Sequence, residues 1–207
     1  MLYTEWRVRR ITAKYSFPSE VVIMRTGLFG GAFNPIHNGH MAVAHAAIKE
    51  AELDRLIFIP TGNAPHKRET QISRLDRLEM IKRAIACEEK MSVSDYEISR
   101  TEVNYSADTA EYFKSLYPDD ELFFIIGDDS YNQLNLWHEP HRIIKVCTLL
   151  VFPREGAMVK PPAVEIKMDR VEISSSEIRE KIKLKKDFRN LLPKEVFNYI
   201  IKSNLYR

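Results

Sequence analysis

The sequence predicts an α/β fold in which a doubly wound parallel sheet forms a single domain, and three observations support this. From residue 26 onward, short apolar strands alternate with segments of helical periodicity, which is typical of parallel strands joined by crossover helices. The run Leu122–Gly127 is apolar on successive residues, as expected of a central strand covered on both faces. The 207 residues are 44% hydrophobic and 29% charged, which indicates an ordinary globular domain.

The first half of the chain is predicted to alternate between strands and helices. Ser73 is the expected N-cap of the second helix, whose buried face should carry Leu75, Leu78, Ile81 and Ile85. In chain order we expect a strand at Thr26–Gly30, a helix at Gly39–Ala51, a strand at Leu56–Pro60, a helix at Ser73–Glu89, a strand at Val93–Ile98, a helix at Thr109–Leu116 and a strand at Leu122–Gly127.

The second half continues this pattern and ends in a mainly helical part. Pro193 is expected at the first helical position of the last helix, because its fixed φ suits that position. In chain order we expect a helical stretch around Ser130–Leu136, a strand at Thr148–Phe152, a loop containing Pro161 and Pro162, a strand at Val164–Met168, a helix starting near Ser175 and a terminal helix at Pro193–Lys202.

The N-terminal segment stands apart from this pattern. We expect residues 26–207 to form the domain and residues 1–25 to be an extension of unassigned role, with a second methionine, Met24, just before the first strand. The extension does not resemble a secretory signal, because no apolar stretch or small-residue cleavage site follows its cations. These cations are Arg7, Arg9, Arg10 and Lys14.

Composition excludes several classes of partner. Lys and Arg number 31 against 29 Asp and Glu, a balance that gives no reason to expect a nucleic-acid partner. The longest apolar runs are far shorter than the roughly 20 residues that span a bilayer, so no membrane association is expected. The two cysteines, Cys87 and Cys147, lie in apolar runs and are expected to be buried, which favours a reducing compartment such as the cytoplasm.

The stretch Gly27–His40, GLFGGAFNPIHNGH, lies where the first strand ends and the first helix begins. In parallel sheets this edge binds ligands, and the N-terminus of a helix attracts phosphate. Gly30 and Gly31 allow a ligand to approach the backbone closely. Since the stretch matches neither GxGxxG nor GxxxxGK[ST], a nicotinamide-dependent dehydrogenase and a P-loop NTPase both lack their signature here.

His37 and His40 are three residues apart, so both imidazoles should project from the first turn of the helix. Two N–H donors directed at one oxyanion would suit phosphoryl transfer. Either histidine could equally be an N-terminal cap or a half-buried polar residue. A zinc site fits less well, because His45 is on another face and the pattern lacks the carboxylate of HExxH.

The segment GAFNPIHNGH resembles the HxGH signature of the nucleotidyltransferase superfamily. From about Thr26 to Arg207 the chain resembles bacterial nicotinate-mononucleotide adenylyltransferases, which implies a Rossmann-like fold. The further segments that match are PTGNAPHK (60–67), the RxEM element at Arg77, Glu79 and Met80, RTEVNYSADT (100–109), FIIGDDSYNQLNLW (124–137), FPREG (152–156), ISSSEIR (173–179) and LLPKEVFNYIIKSNLYR (191–207).

The chain departs from the family pattern at a few positions. Ser106 replaces a threonine and keeps the hydroxyl, whereas Glu102 stands where a glycine is usual and where a positive φ could be needed. The other departures are Ala64 for proline, Asn104 for serine, Glu155 for proline and Ser176 for threonine.

The resemblance implies that the protein joins ATP and nicotinate mononucleotide to give nicotinate adenine dinucleotide and pyrophosphate, with Mg²⁺ accompanying ATP. His37, His40 and Arg179 would act at the phosphates, and no residue is assigned to bind a metal. The remaining ATP-binding residues would be Gly30, Gly31, Phe33, Gly127, Asp129, Ser175 and Ser176, and those for the mononucleotide His66, Lys67, Ser106, Trp137 and Arg154.

Several of these residues also have an ordinary structural interpretation. Lys67 and Arg179 could be solvated surface cations, and Trp137 could be a core aromatic side chain. The serines at 174–176 could simply cap a helix, which would still offer N–H groups to a triphosphate. Asp129 rather than Asp128 matches the family pattern.

Other functions stay open at this point. A phosphopantetheine adenylyltransferase would share HxGH but lack the later segments, and an adenylyltransferase preferring nicotinamide mononucleotide would differ only in how the ring is recognised. KMSVS at 90–94 is similar to a signature of class I aminoacyl-tRNA synthetases, but the chain is too short for one, and the segment should connect a helix to a strand. A nucleotide-sensing module without turnover is the non-enzymatic alternative. The oligomeric state, including a homo-oligomer, is left open.

Overall fold

Six parallel strands form one sheet in the computed structural model, which describes residues 22–63, 72–154, 156, 158–170 and 172–207. The order β3-β2-β1-β4-β5-β6 reverses between β1 and β4, which creates a crevice at the carboxyl ends of these two strands. This confirms the predicted Rossmann-like, doubly wound α/β fold. The strands are β1 (Arg25–Gly31), β2 (Arg55–Pro60), β3 (Met91–Val93), β4 (Glu121–Gly127), β5 (Cys147–Phe152) and β6 (Val164–Glu165).

Helices cover both faces of the sheet. Leu28 and Phe29, neighbours in β1, belong to separate hydrophobic clusters, because successive side chains of a strand point to opposite faces. Phe29 packs with residues of α1, α2, α6 and α7, whereas Leu28 packs with residues of α3 and α5. The helices are α1 (Asn38–Glu50), α2 (Arg74–Ala84), α3 (Ser106–Leu116), α4 (Asp128–Asn132), α5 (Pro140–Val146), α6 (Ser175–Lys183) and α7 (Lys194–Lys202), with 3₁₀ turns at Leu134–Leu136 and Arg189–Leu191.

The second helix differs from its prediction in length and in its buried face. Ser73 is the N-cap and accepts a hydrogen bond from Asp76 N, as expected, but the helix ends at Ala84 rather than Glu89. Leu75 is 73% exposed, because a buried arginine occupies the inner face of this helix. The helix buries Arg77, Met80 and Ile81, and Ile85, the residue that follows it, is buried too.

The predicted strand at Val93–Ile98 is wrong, since β3 spans Met91–Val93. After Val93 the chain turns away from the sheet, where Ser94 Oγ accepts from Tyr96 N. The KMSVS segment therefore contains a strand rather than a connection. β6 is likewise shorter than predicted, and Pro193 is the N-cap of α7 rather than its first residue.

The cysteines do not share one environment. Cys147 is buried, which raises the pKa of its thiol to about 12, but Cys87 is exposed, contrary to expectation. None of the described helices is long and apolar enough to cross a membrane.

Candidate active site

A cavity of about 1210 Å³ lies above the carboxyl ends of β1 and β4. His66 and Lys67 lie outside the described residues. Every other residue that we predicted for the site lines this cavity: Gly30, Gly31, Phe33, His37, His40, Ser106, Gly127, Asp129, Trp137, Arg154, Ser175, Ser176 and Arg179.

His37 and His40 form a stacked pair at the start of α1. Their ring centroids are 3.7 Å apart with an interplanar angle of 30°. His37 is the N-cap of α1, and its backbone N–H donates to His40 Nδ1 at 3.2 Å. Because Nδ1 of His40 accepts this bond, the proton of its neutral ring lies on Nε2.

Both imidazoles are held in the neutral form. Burial lowers the pKa of His37 to about 4, and the positive charge of Arg154 acts in the same direction. The pKa of His40 is also well below its ordinary value, chiefly through burial and then through His37 and Arg154. Near neutral pH the pair therefore offers N–H donors without a positive charge.

The N-terminus of α6 is tied to the loop that precedes the histidines. The Arg179 guanidinium donates to Asn34 O at 2.7 Å and to Ser176 Oγ at 3.0 Å. Ser175 Oγ donates to Pro35 O at 2.9 Å, and Ser174 caps the helix by accepting from Glu177 N. The serine cluster is therefore a helix cap that also lines the cavity.

A second cation, Arg154, faces the cavity beside the end of β4. Its guanidinium donates to Asp129 Oδ2 at 3.0 Å, while the buried Asp128 accepts from the backbone N–H groups of Arg154 and Gly156. A Cβ atom on Gly127 would lie 2.3 Å from Asp129 Oδ1 and 2.8 Å from Arg154 Cδ. A larger residue at 127 would therefore displace the side chains of Asp129 and Arg154, and Asp128 shapes the loop that carries Arg154.

Trp137, Tyr105 and His138 form an aromatic part of the cavity lining, here called its aromatic end. Trp137 is half-buried and stands edge-on to Phe124, with ring centroids 6.4 Å apart. The rings of Tyr105 and His138 lie 4.1 Å apart, next to Ser106 at the first position of α3. This end combines flat apolar surfaces with the N–H groups of a helix N-terminus, a suitable environment for an aromatic ring that carries a polar group.

Two departures from the family pattern have structural explanations. Asn104 Oδ1 accepts from Asn63 N, and its backbone N–H donates to Asn63 O, so the residue fastens the loop before α3. Glu102 is exposed and does not adopt a positive φ, so glycine is not needed at 102 in this chain.

Sequence reasoning missed Glu97, and it matched Arg77 only as part of the RxEM element, without a structural role. Glu97 lines the cavity and accepts from Gly62 N and Thr109 Oγ1, and no local pattern signals it. Arg77 donates to Ala32 O at 2.8 Å and to Thr61 O at 2.7 Å. The sequence signal for Arg77 was the presence of a charged residue on the apolar face of α2.

Comparison with known proteins identifies the family. The family model described as cytidylyltransferase-like matches residues 28–181. The Clostridium tetani protein called "Probable nicotinate-nucleotide adenylyltransferase" is 36% identical over 88% of this chain and 99% of its own length. A protein of the same name from Desulfitobacterium hafniense is 38% identical over 88% of this chain and 96% of its own. The chain belongs to the nicotinate-nucleotide adenylyltransferase family.

The fold of this nicotinate-nucleotide adenylyltransferase family member is also found in a solved structure. The Plasmodium falciparum nicotinic acid mononucleotide adenylyltransferase complexed with NaAD superimposes with a TM-score of 0.74, covering 88% of this chain and 97% of the other. At 20% identity this likeness shows the fold. The curated relatives and the family model confirm the family resemblance inferred from HxGH and the later segments, while the roles of single residues stay predictions.

Proposed function

We propose that the protein transfers the adenylyl group of ATP to nicotinate mononucleotide, releasing pyrophosphate and forming nicotinate adenine dinucleotide. The observation that carries this proposal is the stacked, neutral pair His37 and His40 at the N-terminus of α1, in one cavity with Arg179. Uncharged N–H donors beside a guanidinium suit a phosphoryl group whose negative charge grows in the transition state. The names of the curated relatives support the same reaction.

The reaction needs no covalent intermediate on the protein. A phosphate oxygen of the mononucleotide attacks the α-phosphorus of ATP, and the bond from this phosphorus to the oxygen bridging to the β-phosphate breaks, so pyrophosphate leaves with the electron pair. The Nε2–H of His40 donates to a non-bridging α-phosphate oxygen. Positioning and charge stabilisation then supply the catalysis.

The two substrates would occupy opposite ends of the cavity. ATP would lie over Gly30 and Gly31 with its phosphates toward α6 and Arg179, where a helix N-terminus favours anions. The pyridine ring would pack on Trp137 near Ser106. The other residues assigned to ATP would be Phe33, Gly127, Asp129, Ser175 and Ser176, and those assigned to the mononucleotide His66, Lys67 and Arg154.

Mg²⁺ would arrive with the triphosphate of ATP. The described residues contain no group of three His, Cys, Asp or Glu side chains able to hold a metal ion, and Asp129 already pairs with Arg154. Mg²⁺ ordinarily keeps several waters and binds mainly through substrate phosphates, so we propose that the triphosphate supplies most of its ligands. When bound, the ion would neutralise charge on the departing pyrophosphate, with Asp129 as the adjacent carboxylate.

The test is dinucleotide formation followed by chromatography. Purified protein, Mg²⁺ and ATP are combined with nicotinate mononucleotide, nicotinamide mononucleotide or phosphopantetheine at matched concentrations. We expect the highest kcat/KM with nicotinate mononucleotide. Preference for nicotinamide mononucleotide would reassign the ring contacts, and ATP binding without any product would favour a nucleotide-sensing module.

We further propose that residues 26–207 act as the nucleotidyltransferase domain, that residues 1–25 are an extension, and that the protein works in the cytoplasm. Strand β1 begins at Arg25, which supports a boundary close to this position. A chain starting at Met24 should retain the kcat of the full chain, and a loss of activity would show that the extension belongs to the enzyme.

A further inference from the structure

The loop Ala32–His37, which joins β1 to the histidine pair, is fastened at several points. Arg77 holds Ala32 O from α2, and α6 holds two more carbonyls through Arg179 and Ser175. A further bond comes from the end of the chain, where Tyr206 Oη donates to Asn34 Oδ1 at 2.7 Å. Nothing in the proposed chemistry assigns a role to this tyrosine.

The chain bends sharply to bring Tyr206 to the loop. After α7, Leu205 N donates to Ile200 O, and both Asn204 and Tyr206 adopt a left-handed backbone, with φ of 53° and 65°. A bulky residue rarely adopts this conformation. Tyr206 is only 5% exposed and Asn34 9%, so the bond between them does not compete with water.

The other bond to Asn34 comes from a side chain that ligand binding would redirect. Arg179 lines the cavity and would turn toward the phosphates, which would weaken its bond to Asn34 O. Tyr206 has no such competing role, and burial raises the pKa of its phenol above the ordinary value, so it stays a donor. The phenol can therefore hold the loop while Arg179 is engaged.

We infer that Tyr206 is a positioning residue for the active site: its bond to Asn34 holds the loop that sets His37 and His40. The expected effect of this bond on rate rests on the proposed function, whereas its expected effect on the geometry of the histidines does not. Through this bond, the C-terminal residues of the chain take part in organising the site.

The test compares Tyr206→Phe with Tyr199→Phe, which keep the rings and remove one hydroxyl each. Tyr199 is the matched control, because it also belongs to the C-terminal region but donates to Asp76 Oδ1 on α2 and does not line the cavity. We expect Tyr206→Phe to lower kcat about tenfold, with KM for both substrates changed less than twofold. Tyr199→Phe should lower the melting temperature comparably and leave kcat within twofold of wild type.

The second readout is the imidazole signals of His37 and His40 in ¹⁵N-labelled protein without substrates. Tyr206→Phe should shift both signals, and Tyr199→Phe should leave them in place. Unshifted signals, or a kcat of Tyr206→Phe equal to that of the control, would overturn the inference. Absence of adenylyl transfer in the wild type would instead refute the proposed function, and the NMR comparison would still decide the role of Tyr206.

Discussion

The imidazoles of His37 and His40 stack with their centroids 3.7 Å apart, linked by the bond from His37 N to His40 Nδ1. Two cationic rings at this distance would repel each other strongly, and burial opposes charge on each of them. The pair is therefore built to stay neutral. In the proposed reaction each ring would offer one uncharged N–H donor to the phosphoryl group.

Replacing His40 by alanine should lower kcat by on the order of 10², the usual effect of removing one transition-state donor. The measurement is steady-state adenylyl transfer at saturating ATP and nicotinate mononucleotide. His45→Ala is the matched control on the same helix, because His45 pairs with Glu88 away from the cavity and its loss should leave kcat within twofold. A near-normal kcat for His40→Ala would refute the role given to this histidine.

Stability should fall in acid because of His37. The pKa of its ring drops from the ordinary 6.5 to about 4 on folding, so between these values the unfolded chain binds the proton more readily. This contribution to stability is complete above pH 6.5 and is lost as the pH falls toward 4, and it amounts to roughly 3 kcal/mol.

Urea unfolding at pH 7 and pH 4.5 measures this effect. The wild type should lose roughly 2 kcal/mol more stability than His37→Asn between the two pH values, because asparagine does not titrate. Equal losses in the two proteins would show that the native ring takes up a proton as easily as the unfolded one.

The sequence predicted the sheet better than it predicted helix faces. Apolar runs such as Leu122–Gly127 identify buried strands whatever surrounds them. Helix α5 was missed because Pro140–Val146 is too short to show a periodic stripe. The inner face of α2 was assigned wrongly because Arg77 is buried there. Its guanidinium donates to carbonyl groups on loops distant in sequence, and no local sequence pattern reveals such partners.

The candidate site shows the same division. His37, His40 and Arg179 could be predicted as site residues because their motifs are local in sequence and because the family resemblance extends over nearly all of the domain. The structure places all three in one cavity. The bond of Tyr206 to Asn34 spans 172 positions and follows only from the folded chain. Glu97 was missed for a similar reason, since its partner Gly62 lies 35 positions away.

Arg77 should matter for stability more than any surface arginine. It is 2% exposed, and its guanidinium satisfies the carbonyls of Ala32 and Thr61. Arg77→Met keeps much of the volume but leaves these carbonyls without their donors, at a cost of about 2–3 kcal/mol. Chemical denaturation measures it, with Arg83→Met on the exposed side of α2 expected to change stability by less than about 1 kcal/mol. Equal effects would contradict the structural role of Arg77.

Arg179 should not be replaceable by lysine. Its guanidinium bridges Asn34 O and Ser176 Oγ, and a lysine ammonium cannot reproduce this planar geometry. Arg179→Lys should lower kcat/KM for ATP about tenfold or more. Arg189→Lys is the control, because Arg189 lies over the ring of Phe197 and does not line the cavity. A normal kcat/KM for Arg179→Lys would show that Arg179 acts only through its positive charge.

Trp137 should control affinity for the mononucleotide rather than for ATP. Its half-buried ring lines the aromatic end of the cavity, where stacking on a pyridine ring would contribute about 1 kcal/mol. Trp137→Ala should therefore raise KM for nicotinate mononucleotide about five- to tenfold and leave KM for ATP within twofold, whereas Trp137→Phe should recover most of the loss.

Fluorescence tests the same contact without turnover. The chain has two tryptophans, Trp6 and Trp137, so in Trp6→Phe the emission comes from Trp137 alone. Adding nicotinate mononucleotide to this variant should quench the emission, because the pyridine ring would cover the indole, and adenosine monophosphate should have little effect. The opposite pattern would place the adenine at the aromatic end and exchange the two substrate positions.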